Sequence, residues 1–256
     1  MNIRQLQKLY PRHIPTTTTQ KLLLAIGSSA TALIDPLRDG INSIQIAAMF
    51  ALFSFQNIQT IDMVAVSGEV LGGNALRKMY RQMRSSEEGR RVLIDKPIIN
   101  TKVVDLNELS RLPKGTFGAE YVRFMTENKI SSDTRKPVKF VDDPELAYVM
   151  QRYRETHDMV HVLTAMPISL PGEVAVKWIE AIQTGLPMCW GAAIFGPLTL
   201  NREERRDYIH HYLQWALKCG HEAKPFITYY YEKRLEQNID DLRREMNIPL
   251  PLPHLR

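Results

Sequence analysis

His157 and His161 stand four residues apart with Asp158 beside the first, and Glu173 follows twelve residues after the second. On a helix, positions i and i+4 share one face a turn apart. That is the spacing at which two imidazoles can grip one divalent ion. Asp158 is directed about 100° around the helix from His157, so it either curls in as a carboxylate ligand or braces a ligand from behind. The turn from Met166 to Gly172 reverses the chain and places Glu173 in the first turn of the next helix, back near its partner. Two histidines and two carboxylates make a mixed nitrogen and oxygen donor set, which suits Zn2+ and also admits Fe2+. Plainer readings compete at each position. Asp158 could pair with Arg154 at i−4, and Glu173 with Lys177 at i+4. Glu173 also suits the positive end of a helix dipole, and a histidine on a buried stripe is commonly a hydrogen-bonded core residue. A peptidase reading is poorer, because the His-Glu-x-x-His pattern needs a glutamate where this chain has the shorter Asp158.

The helix that must carry the histidines is the best defined in the sequence. Asp143 is a good N-cap, Pro144 suits the first helical position, and Glu145 favours the dipole. Leu146, Met150, Tyr153, Val160 and Thr164 form its apolar stripe, His157 and His161 fall on the same stripe, and Pro167 ends it. Pro171 to Thr184 reads as the returning helix, closed by Gly185 and Pro187. Upstream, helices are expected over Gln20 to Ala32, over Met63 to Met83 with a break at Gly72-Gly73, over Ser86 to Leu93, over Leu106 to Leu112 and over Phe117 to Asn128. Lys129 to Lys139 reads as a loop. Downstream, helices are expected over Arg202 to Leu217 and Tyr230 to Met246. Only Pro97 to Val103 offers a short candidate strand. The class is all-α: a single helical domain over residues 16–247, with a metal site on a helical hairpin. A basic segment, 1–15, precedes it, and a proline-rich tail that cannot be helical, 248–256, follows.

Composition narrows the function. With 33 basic and 28 acidic residues the net charge is +5. The basic clusters are interleaved with acids, which indicates a solvated face rather than a nucleic-acid stripe. Cys189 and Cys219 make no disulfide framework, so a reducing interior is expected. No acid precedes Asp35, whereas Arg4, Lys8, Arg12 and Lys21 do, with threonines at 16–19 among them. That is the flavour of a mitochondrial presequence. No Walker loop, dinucleotide fingerprint or nucleophile elbow is present. His210 and His211 are adjacent and point apart, and His221 after Gly220 reads as a helix end. Tyr229-Tyr230-Tyr231 is expected to pack and to make a hydrogen bond.

The pattern His157-Asp158-x-x-His161, followed by Glu173, resembles the signature of the ubiquinone biosynthesis protein 4 family. Around it Glu155-Thr156, Gly172-Glu173-Val174, Lys177-Trp178 and Gln183-Thr184-Gly185-Leu186-Pro187 extend the likeness. So do Leu9-Tyr10-Pro11, His13-Ile14-Pro15-Thr16, Asp35-Pro36 with Arg38, and Tyr230-Tyr231-Glu232. The resemblance implies a helical protein on the matrix side of the mitochondrial inner membrane, held there peripherally, within a complex of other coenzyme Q biosynthesis proteins. It implies His157, Asp158, His161 and Glu173 as Zn2+ ligands. It also implies a lyase activity, removal of the C1 carboxylate of a 4-hydroxy-3-methoxy-5-polyprenylbenzoate. Either Asp158 or a metal-bound water is the candidate proton donor for such a step. The alternative it carries is a non-catalytic, lipid-binding scaffold that organises the complex. A homodimer is admitted. The polyprenylated lipid calls for an apolar groove that the sequence does not locate.

One segment departs from the family. Gly40 to Ile61 holds no charged residue and interrupts the run from the Asp35-Pro36 segment to Asp62-Met63-Val64-Ala65-Val66. Its apolar core is too short for a membrane span of about 20 residues, and residues 40–61 are read as an insertion, through a retained intron or otherwise. Family-like sequence begins almost at once, so the first 15 residues are read as the remnant of a presequence.

Overall fold

The computed structural model describes residues 10–24, 63–100, 105–135 and 137–252. The readings for 1–9, for the insertion at 40–61, for the Asp35-Pro36 segment and for the last four residues lie outside these. Every regular element among the described residues is helical, and the nearest thing to a strand is a single bridge between Thr116 and Asn238. Residues 96–99, where a short strand was a candidate, are irregular coil. No helix among the described residues is long and apolar enough to cross a membrane.

Residues 18–24 are helical. Then come α1 (Met63–Leu71), α2 (Gly73–Ser85), α3 (Glu87–Asp95), α4 (Leu106–Leu109) and α5 (Phe117–Asn128). The break at Gly72 falls where the sequence places it, and Ser86 is the N-cap of α3, its hydroxyl accepting from the Gly89 amide. On α2, Ala75, Leu76, Met79 and Met83 are buried, a stripe at helical spacing. The central element is α6 (Pro144–Thr164). Asp143 caps it by accepting from the amides of Glu145 at 2.8 Å and Leu146 at 3.2 Å. Its other end stops before Pro167 is reached. Ala165 takes a left-handed conformation (φ +55°) and the Met166 amide donates back to the His161 carbonyl at 3.0 Å, the arrangement that closes a helix with six-to-one bonding. A tight turn leads to α7 (Leu170–Thr184), which Gly185 ends at φ +78°. In the first turn of α7 a Cβ at Gly172 would lie 2.2 Å from the Pro167 carbonyl oxygen. Only glycine allows the close approach that brings Glu173 back over α6.

Three downstream elements differ from expectation. A helix not read from the sequence, α8 (Pro187–Phe195), follows Pro187 directly. The helix expected over Arg202 to Leu217 is interrupted: α9 (Arg202–Asp207) passes through one π-helical turn, Tyr208–Tyr212, into α10 (Leu213–Glu222). The helix expected over Tyr230 to Met246 is replaced by short 3-10 turns and α11 (Ile239–Glu245), which starts at its own cap, Asn238. The cause is tertiary. The carbonyl of Tyr229 and the carboxylate of Glu232 are both taken by Arg152 of α6, and the Tyr230 amide donates to Glu88 of α3.

Two clusters of buried residues share α6. Its first half, including Leu146, Val149, Met150 and Tyr153, packs with α2 and α3. Its second half, including Met159, Val160 and Leu163, packs with α5, α7 and α10. Sixteen residues of α6 are buried, among them Arg152, Arg154, Glu155, Thr156, Asp158, His161 and Thr164. A helix buried on all sides is normally apolar, so a central helix loaded with buried charge is where chemistry is to be sought.

Candidate metal centre

α6 and α7 run antiparallel through their side chains: Tyr153 meets Glu180 near one end and His161 meets Glu173 near the other. At the second end, three groups converge. His157, His161 and Glu173 each offer a ligand atom, and these atoms lie within 4.8 Å of one another. The Nε2 of His157 is 3.6 Å from one oxygen of Glu173 and the Nε2 of His161 is 3.3 Å from the other. The two rings meet edge to face at 4.9 Å, and Phe124 of α5 stacks on His161 at 5.7 Å.

The tautomers follow from the far nitrogens. His161 Nδ1 is 3.0 Å from the Met166 carbonyl, which can only accept, so Nδ1 carries the proton and the neutral ring presents a lone pair at Nε2. His157 Nδ1 is 2.7 Å from Glu180 and donates to it, so in the neutral ring its Nε2 is bare in the same way. With both rings neutral, two imidazole lone pairs and a carboxylate face one another, and the buried Nε2 of His161 has no hydrogen-bond partner, its 3.3 Å approach to Glu173 being misaligned for one. Such a set calls for positive charge between its members, either a proton on His157 or a cation. A divalent cation supplies that charge, and the backing of each histidine by a carbonyl or carboxylate is the arrangement that orients metal-bound imidazoles. The residues fit the group.

Asp158 lies outside this donor set. Its carboxylate, 4 % exposed, is turned to the guanidinium of Arg135, in the loop after α5. Adjacent residues on a helix diverge by about 100°, and here that rotation carries Asp158 toward α5 while His157 faces α7. None of the local pairings weighed from the sequence is formed: Arg154 binds Glu69 at 2.8 Å and Lys177 binds Glu180 at 2.7 Å.

Glu180 is the residue that sequence reasoning passed over. It is 4 % exposed and gathers His157, Lys177 and the Tyr153 hydroxyl, each at 2.7 Å, with the Cys189 thiol at 3.7 Å. Burial works against its charge, but Lys177 and His157 hold its carboxyl far below the usual range. Burial, and then Glu180, push the Cys189 thiol up to about 12, so it is inert as a nucleophile. The only sequence signal was its spacing from Glu173, two turns along the same helix. His210 and His211 are exposed, and Tyr229, Tyr230 and Tyr231 are buried, as expected.

Protonation sets the conditions for filling the site. Burial and Lys177 lower the His157 pKa, yet Glu180 and Glu173 outweigh them and leave it raised. In the metal-free protein the bound proton stabilises the fold fully below about 6.5, and that contribution fades as pH rises through the raised value. A metal needs the same nitrogen bare. Zinc binding near pH 7 is therefore expected to release a proton, and affinity to fall as pH drops below the raised His157 value. Calorimetric titrations in buffers of different ionisation heat read the proton directly, and release should shrink in His157→Ala. Glu173 moves the other way. Burial opposes its charge, but both histidines hold its carboxyl well below the usual range. Its contribution is present above about 4.3 and is lost only in strong acid.

Beside His161 opens a cleft of about 730 Å³, walled by Phe124 of α5, by Val162 and Met166 at the end of α6, and by Ile239, Ile248 and Leu250 of the C-terminal segment. Its size is that of a ligand pocket, and Arg123 and Arg243 stand among its polar lining.

What fold and geometry define is an all-helical protein with a His-His-Glu candidate metal centre at the side of a ligand-sized cleft. The chain belongs to the coenzyme Q (ubiquinone) biosynthesis protein Coq4 family, whose model matches residues 39–251. It is 47 % identical over 240 residues to the Anopheles gambiae protein named ubiquinone biosynthesis protein COQ4 homolog, mitochondrial, covering 94 % of this chain and 77 % of that one. It is 47 % identical over 248 residues to the Xenopus laevis protein of the same name, covering 97 % and 79 %. A crystal structure of a protein from Nostoc punctiforme shares the fold, with a TM-score of 0.61 over 91 % of this chain and 99 % of that one at 18 % identity.

Proposed function

We propose that this coenzyme Q biosynthesis protein is a metal-dependent carboxy-lyase acting on C1 of a 4-hydroxy-3-methoxy-5-polyprenylbenzoate. The observation that carries the reading is the pair of imidazole nitrogens aimed, with Glu173, at one point beside an open cleft. A purely structural metal site is closed, whereas a catalytic one keeps a position open toward substrate. His157, His161 and Glu173 would hold Zn2+, or Fe2+. The metal would supply a Lewis acid for the substrate's carboxylate.

The chain's own residues supply the rest. The 4-hydroxyl stands para to C1, so the ring can take a proton at C1 and then lose CO2. Asp158, one helical position from His157 and buried, or a water at the metal, would deliver that proton. Phe124, stacked on His161 and lining the cleft, would hold the aromatic ring, and the apolar wall through Ile239, Ile248 and Leu250 would receive the prenyl tail.

Peripheral attachment to the matrix side of the mitochondrial inner membrane fits a second feature. From Pro187 to Leu200 the chain has no charged residue, and Trp190, Ile194, Phe195 and Leu198 are exposed along it. An exposed apolar face of this kind marks a contact with lipid or partner. The relatives named mitochondrial, and the partner proteins of a coenzyme Q assembly, belong to the same reading.

The test is CO2 release from a short-tailed prenylated 4-hydroxy-3-methoxybenzoate. The metal-loaded chain should turn substrate over, chelation should abolish turnover, and added Zn2+ or Fe2+ should restore it. A folded, metal-loaded chain that binds the lipid but releases no CO2 would leave the scaffold reading in its place.

A further inference from the structure

Arg135 brings a guanidinium to the carboxylate beside His157. It comes from the loop after α5, and one of its terminal nitrogens donates to Asp158. Its Nε is buried and has no hydrogen-bond partner. An arginine carries five N–H donors in a fixed fork, and a buried donor without an acceptor is costly unless something supplies one. The side chain is not sealed off: 31 % of it remains exposed, against 5 % for Asp158. Burial disfavours its charge, but Asp158, and then Glu173 and Tyr121, favour it, which places the guanidinium within electrostatic reach of both the metal ligand Glu173 and the carboxylate beside His157. A guanidinium and the candidate metal ligands thus lie in one neighbourhood.

We infer that Arg135 is an anion-binding residue of this site, which takes the carboxylate of an aryl acid beside the metal. A planar guanidinium recognises a carboxylate through paired N–H donors, and here one terminal nitrogen is already occupied by Asp158, the buried Nε has no acceptor, and part of the side chain stays exposed. Arg135 thereby also couples the two carboxylates, that of the ligand and that of Asp158, and sets where Asp158 points when an acid arrives. The choice of an aryl carboxylate over another anion rests on the lyase reading above. The anion site itself rests on Arg135.

The test uses the full zinc-loaded chain, with 4-hydroxy-3-methoxybenzoate as the acid and 2-methoxyphenol as its counterpart lacking the carboxylate. Arg135→Gln should weaken the acid by about 10- to 100-fold, leave 2-methoxyphenol binding and zinc content unchanged, and Arg135→Lys should regain part of the loss. Equal weakening of both probes, an unweakened acid, or loss of zinc in Arg135→Gln would overturn the assignment. An unweakened acid would leave the lyase reading standing. Phenyl phosphate is the third probe. Arg135-dependent binding of phenyl phosphate without binding of the benzoate would keep the anion site and sink the lyase reading. Failure of the wild-type chain to bind either anion would overturn the anion site.

Discussion

Replacing Glu180 with alanine is expected to destabilise the protein by about 3–5 kcal/mol, the cost of breaking a buried ion pair from one side, and to weaken zinc binding about 10- to 100-fold. The two effects have one origin. Glu180 is the sole anion at 2.7 Å from both His157 Nδ1 and the Lys177 ammonium. Without it, Lys177 is left charged in the interior, and burial then drives its pKa down, the reverse of its present raised state in which Glu180 outweighs burial. The Tyr153 hydroxyl loses its acceptor as well. His157 no longer has a group that fixes its proton on Nδ1, so the ring can present the wrong nitrogen to Glu173. Glu180→Gln separates the two losses. It keeps an oxygen to accept from His157 or Tyr153, so more zinc affinity than stability should survive. Urea unfolding of the metal-free chain and a chelator competition for zinc read the two quantities. Unfolding free energies within about 0.5 kcal/mol of wild type, the range of ordinary surface substitutions, would show that the four-membered cluster is not a structural unit.

Glu180 also shows where the sequence stops being informative. The ends of α6 and α7 were legible because capping is local: Asp143, Pro144 and Gly185 act on residues within a turn of themselves. The histidine spacing was legible for the same reason, since a helix places i and i+4 together whatever surrounds it. Glu173 could be brought near them because one short turn joins the two helices. Glu180 is two turns further along, and in sequence it reads as one half of a solvated Lys177–Glu180 pair. Nothing local says that Glu180 is buried and Lys177 half-buried, or that His157 lies across from them. Arg135 was hidden in the same way, in a polar loop whose partner Asp158 is 23 residues distant. Asp158 is the converse case. Its neighbourhood to His157 in sequence suggested a shared ligand set, and only the packing of α5 against α6 shows which way its carboxylate is turned. The missed helix α8 has no polar face to give it a period: of Pro187 to Phe195 no residue is charged, and its helicity follows from packing on α1 and α7.

The same long-range logic governs the second large effect, Glu232→Ala, which should cost about 3–5 kcal/mol while changing zinc affinity by less than about threefold. Arg152 is fully buried, and among the described residues Glu232 is its only anionic partner, bonded through both oxygens, one of them at 2.9 Å. Removing the carboxylate leaves the guanidinium with the Tyr229 carbonyl at 3.2 Å and a buried Nε that already lacks an acceptor. The chain segment held by this pair is the one that sequence reads as a helix, and the charge pair is the reason it is not one. Tyr229 to Lys233 is drawn onto α6 with a 3-10 turn at Tyr231–Lys233, and α11 must begin afresh at Asn238. Local propensity would reclaim the segment if the anchor were lost, so helical signal in circular dichroism should hold or rise even as stability falls. The proposed zinc site should be spared because Arg152 faces this segment, whereas His157 and His161 face α7. Arg152→Met combined with Glu232→Leu should recover most of the stability, since replacing a buried pair with apolar side chains of similar volume is often neutral or better. A single variant that loses less than about 1 kcal/mol, or a double variant no better than the single, would mean that the segment is held by its tyrosine packing and not by the charge. A double variant that recovers stability while zinc binding stays intact would separate what holds the C-terminal segment on α6 from what makes α6 the carrier of the metal site.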